Sequence, residues 1–309
     1  MEKSMKNKSA VVVGLILMFA CISSVCAQDN TGPNAQVKAY YDQVSSLYKA
    51  KDFEGLMSLM TEDFQIILYG LDREGVRNDL KKLLSSYDEI QATYAPLEIT
   101  PSGRFIKVRS DEKVMGRSGG GEWKEITNKQ MIEYMVQESN SLKIARAADV
   151  DKSRLNYING STYTDEEGRF SFVVPDGWDI IPGVHPGMKG MVLALAPDRV
   201  SIAMMGYVKT PGITAQQAAE GDEGVGKAMS KAETYKLYKS GPKNFRSYEG
   251  FEIESRFNIP NTQDRHRRRV YFKAHGSLYV LCFDAIPYTQ WDSVKDGFQQ
   301  ILDSMIIKD

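Results

Sequence analysis

Histidine is scarce in this 309-residue chain: His185, His266 and His275 are all there is, and residues 28–184 contain none. No two histidines sit four residues apart, so the helical spacing of a zinc site is missing. A serine or cysteine nucleophile in the first half would lack an imidazole base in its own segment. Cysteine is equally scarce, and two of the three, Cys21 and Cys26, lie within the first 27 residues. Charge of one sign does not prevail either, with 39 Lys and Arg against 40 Asp and Glu, which excludes a general binder of nucleic acid or other polyanions. No metal and no cofactor is implied.

Lys3, Lys6 and Lys8 precede the apolar run from Ala10 to Ala20, and Val25-Cys26-Ala27 supplies small residues before Gln28. That is the pattern of a signal peptide over residues 1–27. The run is about half the roughly 20 residues a spanning helix needs, so no transmembrane segment is expected in the mature chain. Cleavage after Ala27 would remove three lysines and Glu2, leaving 36 basic and 39 acidic side chains, a net charge of −3. Cys282 would then stand alone, without an intramolecular disulfide partner. The expected address is periplasmic or extracellular; a lipid anchor on Cys21 or Cys26 is the rival reading, and the residues before each fit a lipoprotein box poorly.

Residues 34–60 carry Val37, Tyr40, Tyr41, Val44, Leu47 and Tyr48 at three- and four-residue spacing, broken at Lys51-Asp52 into two helices, with Asp52 placed to cap the second. A short strand at 64–68 and a third helix from about Asp72 follow. Strands are then predicted at 90–99, 104–115, 123–138 and 142–149, divided by Pro101-Ser102-Gly103, the glycines 116–121 and Ser139-Asn140. This order, with YYDQVSSLYKAKDFEGLMSLMTEDF and GEWKEITNKQMIEYMV, resembles the NTF2-like (SnoaL-like) superfamily over residues 34–149. The resemblance implies a cone of helices on a curved antiparallel sheet with a pocket between them. Tyr40, Tyr41, Tyr69, Tyr94 and Tyr134 are the candidates to line that pocket, although core packing accounts for aromatics at such spacing equally well.

Residues 150–160 lose apolar periodicity and read as a linker. Beyond it FSFVVPDGW, the hairpin VYFKAHGSLYVLCF and the closing helix WDSVKDGFQQILDSM resemble the PsbP-like family over residues 161–309. That resemblance implies an αβα sandwich on an antiparallel sheet, and a role as an accessory factor docking on a larger complex. The fold class is therefore α+β, in two domains.

Gly116-Arg117-Ser118-Gly119-Gly120 fits the G-x-S-x-G pattern of a nucleophilic serine, but leads into a strand and has no histidine base; a hairpin tip accounts for it. Gly221-Asp222-Glu223-Gly224-Val225-Gly226-Lys227 narrowly misses a phosphate loop, lacking its Ser or Thr and carrying two acids where phosphate would sit. A flexible break in or after a helix is expected there. Cys282, within an apolar alternation, reads as an inert buried thiol.

The densest basic run is Asp264-Arg265-His266-Arg267-Arg268-Arg269. Matching Phe251, Ile253 and Phe257 to the face of Val270 and Phe272 sets Arg267 and Arg269 opposite Glu252 and Glu254, and leaves Arg265, His266 and Arg268 as candidate contacts for an anionic partner. The expected function is an exported accessory or scaffold protein that binds an unidentified protein partner, without catalysis. The alternative is a carrier of a small apolar ligand, or an enzyme, using the pocket of the first domain. An open cavity in which a carboxylate and a tyrosine converge would favour that alternative.

Overall fold

The computed structural model describes residues 32–67, 71–183, 189–209, 212–230, 234–258 and 264–308. The expected leader, Tyr69 and His185 lie outside them. In α1 (Pro33–Ala50) the buried stripe is Val37, Tyr40, Tyr41 and Val44. The Asp52 carboxylate accepts the Gly55 N–H at 2.9 Å and starts α2 (Phe53–Ser58), a cap that stabilises by about 1 kcal/mol. β1 (Met60–Ile66) and β2 (Leu71–Asp72) follow, and Asp72 caps α3 (Arg73–Ser86) through Gly75. The long strands β3 (Glu89–Ser102), β4 (Phe105–Arg117), β5 (Lys124–Glu138) and β6 (Ser141–Val150) then fold back on one another.

The first sheet has the order β2-β1-β6-β5-β4-β3. Its pairs are antiparallel except β1 with β6, which run parallel; the fully antiparallel expectation fails there. The intervening chain, α3 and three long strands, is ample for the crossover a parallel pair requires. Register shifts at Pro96/Glu98, Val114/Met115 and Tyr134/Met135 are the places where such strands bend. The helices cover one face, giving the helix-on-sheet arrangement that the NTF2-like resemblance implies.

The stretch expected as a linker is ordered. It forms a 3-10 turn (Lys152–Tyr157) in which buried Arg154 donates to the carbonyls of Gly183 and Met191. Polar contacts hold it, so it shows no apolar period. β7 (Ile158–Asn159), β8 (Thr162–Thr164) and β9 (Phe170–Val173) begin a small sheet. β10 (Asp179–Ile181), β11 (Lys189–Leu195), β12 (Ile202–Val208), α4 (Ala215–Met229), β13 (Lys236–Pro242), β14 (Gly250–Phe257), β15 (Arg265–Ala274), β16 (Ser277–Ala285), α5 (Trp291–Ser304) and β17 (Ile306–Ile307) complete the chain. β17 pairs with β9, and a seven-stranded antiparallel sheet runs β10-β11-β12-β16-β15-β14-β13. His275 and Gly276 both have positive φ, at 47° and 74°, the requirement of a type I′ turn between β15 and β16.

Both faces of this sheet are covered. Val270, Phe272, Leu281 and Phe283 pack under Val294, Phe298, Ile301 and Leu302 of α5. On the other face Phe251, Ile253, Tyr271 and Leu278 meet Ala215 and Ala219 of α4. The same face, over β10 to β12, carries Ile181, Leu193, Leu195 and Ile202, which form one apolar cluster with Phe105, Ile132, Tyr134, Ala145 and Ala148 of the first sheet. Asp179 fixes this junction, accepting from Lys107 at 2.7 Å and Tyr134 at 2.9 Å and pairing with the Arg199 charge at 2.9 Å. Leu193 is fully buried there, so Leu193→Ala is expected to cost about 2 to 5 kcal/mol in urea unfolding. A loss under about 1 kcal/mol would show that the junction contributes little.

Candidate functional site

The alternation of β5 sends Met131, Glu133 and Met135 to the helix-covered face and Ile132 and Tyr134 to the second domain. Between α1 and the first face lies a cavity of about 160 Å³. Its wall is mainly apolar, with Val44, Leu56, Phe64, Met131, Ile144 and Ala147 among its residues. Into it project Tyr40, Tyr41 and Tyr48 from α1, Tyr94 from β3, Glu112 from β4, and Lys129 and Glu133 from β5.

The polar groups form two sets. Tyr41 donates a short hydrogen bond to Glu133, which also accepts from buried Ser110 at 3.3 Å. Tyr94 donates to Glu112 at 3.2 Å; Lys129 stands 3.7 Å from Glu112 and 2.8 Å from Asp149 of β6. The rings of Tyr41 and Tyr94 stack with centroids 4.9 Å apart, and Tyr40 meets Tyr41 edge-on at 5.6 Å.

Burial pushes Glu133 up to about 7; nearby Glu112 adds to the rise, while hydrogen bonds from Tyr41 and Ser110 and the Lys129 charge oppose it. Glu112 is raised too, again by burial, against the pull of Lys129 and the Tyr94 hydrogen bond. Burial, with nearby carboxylates, lifts Tyr40, Tyr41 and Tyr94 well above the ordinary phenol range. The phenols therefore remain donors, and Glu133 exchanges its proton near neutrality.

Of the five tyrosines expected to line the pocket, Tyr40, Tyr41 and Tyr94 do so. Tyr134 does not: it faces the domain junction and donates to Asp179. The carboxylates and Tyr48 were not anticipated. The signal for Glu133 is a carboxylate inside the apolar run Met131-Ile132-Glu133-Tyr134-Met135-Val136, a charge that is rarely fully buried without a partner.

The basic run is placed differently from expectation. In the β14–β15 ladder Phe251 lies opposite Tyr271, Ile253 opposite Arg269 and Glu254 opposite Arg268, so the pairings shift by one residue. Arg268 donates to Glu252, and His266 bonds Glu254 at 2.7 Å while its ring stacks between Tyr238 and Trp291. Arg265 and Arg267 both donate to buried Asp284 of β16, and Arg269 pairs with Asp222 of α4. Arg265, His266 and Arg268 are thus engaged within the protein rather than presented at a loop end. The error is physical: with helices on both faces, apolar positions occur in either parity, and alternation alone does not set the register.

Ser118, Gly119 and Gly120 form the turn between β4 and β5, with Gly119 and Gly120 at positive φ, and a Cβ on Gly116 would sit 2.6 Å from the Tyr87 ring. The glycines serve turn and packing. The near-phosphate loop holds no break; α4 runs through it, and Asp222 accepts a short hydrogen bond from Tyr271. Cys282 is buried, and burial pushes its thiol up to about 11.

Residues 159–307 match the PsbP family. No curated protein matches the chain. Among solved structures, the cyanobacterial PsbP (CyanoP) from Synechocystis sp. PCC 6803 is similar at 18% identity, covering 50% of this chain and 99% of that one, with a TM-score of 0.37. A putative scytalone dehydratase from Novosphingobium aromaticivorans shares 14% identity over 38% of this chain and 83% of its own, at 0.33. A conserved protein from Planctomyces limnophilus shares 17% over 37% and 92%, also at 0.33.

Proposed function

We propose that this is an exported two-domain binding protein whose N-terminal domain takes up a small, largely apolar molecule. One observation carries the reading: a cavity of about 160 Å³ with an apolar wall, in which two glutamates each accept a tyrosine hydroxyl. That volume is close to the roughly 150 Å³ of an engineered cavity that admits benzene, so the occupant is about one ring in size. The wall supplies affinity by removing apolar surface from water, and the carboxylate–phenol pairs orient the polar end. Export is supported by the leader pattern of residues 1–27.

A ring-sized probe such as benzyl alcohol is expected to raise the Tm of the whole protein. Ala147→Phe places a ring in the cavity, where Ala147 is buried, and should abolish the shift. If no ring-sized probe moves the Tm, the reading fails.

A second reading, docking on a larger assembly as an accessory or scaffold protein, is favoured by the PsbP-family match over residues 159–307 and concerns that domain. Cross-linking in the native envelope fraction should then capture a defined assembly. Recovery of the uncrosslinked chain alone would count against it.

A further inference from the structure

We infer that the molecule bound in the N-terminal cavity is a small organic cation, an ammonium group carried on an apolar body of about one ring. The inference rests on the cavity being a ligand site and adds the sign of the ligand's charge. Three features of the site converge on it.

The first is charge. Glu112 and Glu133 both line the cavity, with Glu133 6% exposed, and Asp149 stands beside Lys129, the basic side chain on the lining. With both glutamates ionised, the lining sets two carboxylates against one ammonium and carries −1. Lys129 stands 2.8 Å from Asp149 and 3.7 Å from Glu112. Burial disfavours the charged form of Glu133 even with the Tyr41 and Ser110 hydroxyls donating to it, and a cation beside it would favour that form.

The second is the aromatic wall. Tyr40, Tyr41, Tyr48 and Tyr94 come from two elements, with Tyr41 and Tyr94 stacked and Tyr40 set edge-on. The faces of such rings attract ammonium groups, most strongly where water is excluded.

The third is the direction of the hydrogen bonds. The Tyr41, Tyr94 and Ser110 hydroxyls already donate to the two glutamates. Acceptor oxygens therefore predominate for an incoming group, and an ammonium donates to them, whereas a carboxylate or phosphate would meet like charge.

A bound ammonium favours the ionised form of Glu133. Since that carboxyl titrates near 7 in the presence of Glu112, Lys129, Asp149, Ser110 and the four phenols, uptake below neutrality releases a proton. Affinity for the cation should rise with pH through about 7.

Calorimetric titration of the full chain with benzylammonium chloride and with benzyl alcohol, of similar size and neutral, tests this. Near pH 8 the cation should bind about tenfold tighter or more than the alcohol, and the preference should narrow near pH 6. Glu133→Gln should lose the preference, so that cation and alcohol bind with similar affinity at either pH. If that variant does not fold, the same pH series on the unaltered protein decides the matter. Alcohol binding as tightly as the cation near pH 8 would overturn the inference and leave the cavity reading standing. Binding of neither probe would overturn both.

Discussion

Replacing Asp284 with alanine should destabilise the protein by about 3 to 5 kcal/mol, measured by urea unfolding at neutral pH. Asp284 is 2% exposed and lies on β16, beside Arg267 across the ladder, where it accepts from both Arg265 and Arg267. Burial works to raise its pKa, yet the adjacent Arg267 charge and its hydrogen bonds, with Arg265 and Arg269, hold it below the ordinary carboxylate range. The stabilisation is therefore fully present above the unfolded aspartate value and is lost as pH falls through the lower folded one. Alanine would leave the buried Arg265 and half-buried Arg267 guanidinium groups without their counter-charge, and arginine does not shed its proton to escape. By contrast Lys38→Ala, which breaks an exposed pair with Asp42, should change stability by less than about 0.5 kcal/mol. A loss at Asp284 as small as that at Lys38 would mean the buried guanidinium groups find water or other partners.

Glu133→Gln should remove a pH dependence of stability of about 3 kcal/mol between pH 4.5 and about 7. The sign follows from the raised pKa. Between the unfolded value of 4.5 and the folded value of about 7, the native state keeps the proton that the unfolded chain has given up. The unfolded state binds fewer protons, so this group's contribution falls as pH rises across that window and is level above it. Glu112, also raised by burial, acts in the same sense. Glutamine keeps the carbonyl that accepts the Tyr41 hydroxyl and has no charge to bury. Relative to the unaltered protein, the variant should be more stable near pH 8 than near pH 5. Parallel stability curves for the two proteins would place the Glu133 carboxyl in contact with water or a cation.

Much of the fold was legible because it rests on local rules. The stripe Val37, Tyr40, Tyr41 and Val44 gives α1, Asp52 caps α2, and the His275-Gly276 turn sets the β15–β16 hairpin. β10, the three residues that follow Trp178, is too short to show a period. The β14–β15 register was not legible, since Phe251, Ile253 and Phe257 serve the α4 face and Val270 and Phe272 the α5 face. The pocket was legible through α1, which places Tyr40 and Tyr41 on its buried side. It was not legible through β5, where adjacent Glu133 and Tyr134 point to opposite faces and choosing one excludes the other. Which face a six-stranded sheet offers to its helices, and which to a neighbouring domain, is decided by contacts far apart in sequence.

The central claim, that the N-terminal cavity admits a ring-sized molecule, is tested most directly by methionine-methyl NMR during addition of benzyl alcohol to the whole protein. Met60 and Met131 line the cavity, whereas Met205 and Met305 lie in the core beneath α5. Ring currents from a bound aromatic should shift the Met60 and Met131 methyl resonances in a saturable manner and leave those of Met205 and Met305 in place. Resonances of Met60 and Met131 that stay fixed to the solubility limit of the probe, or that move no more than the core pair, would contradict the claim.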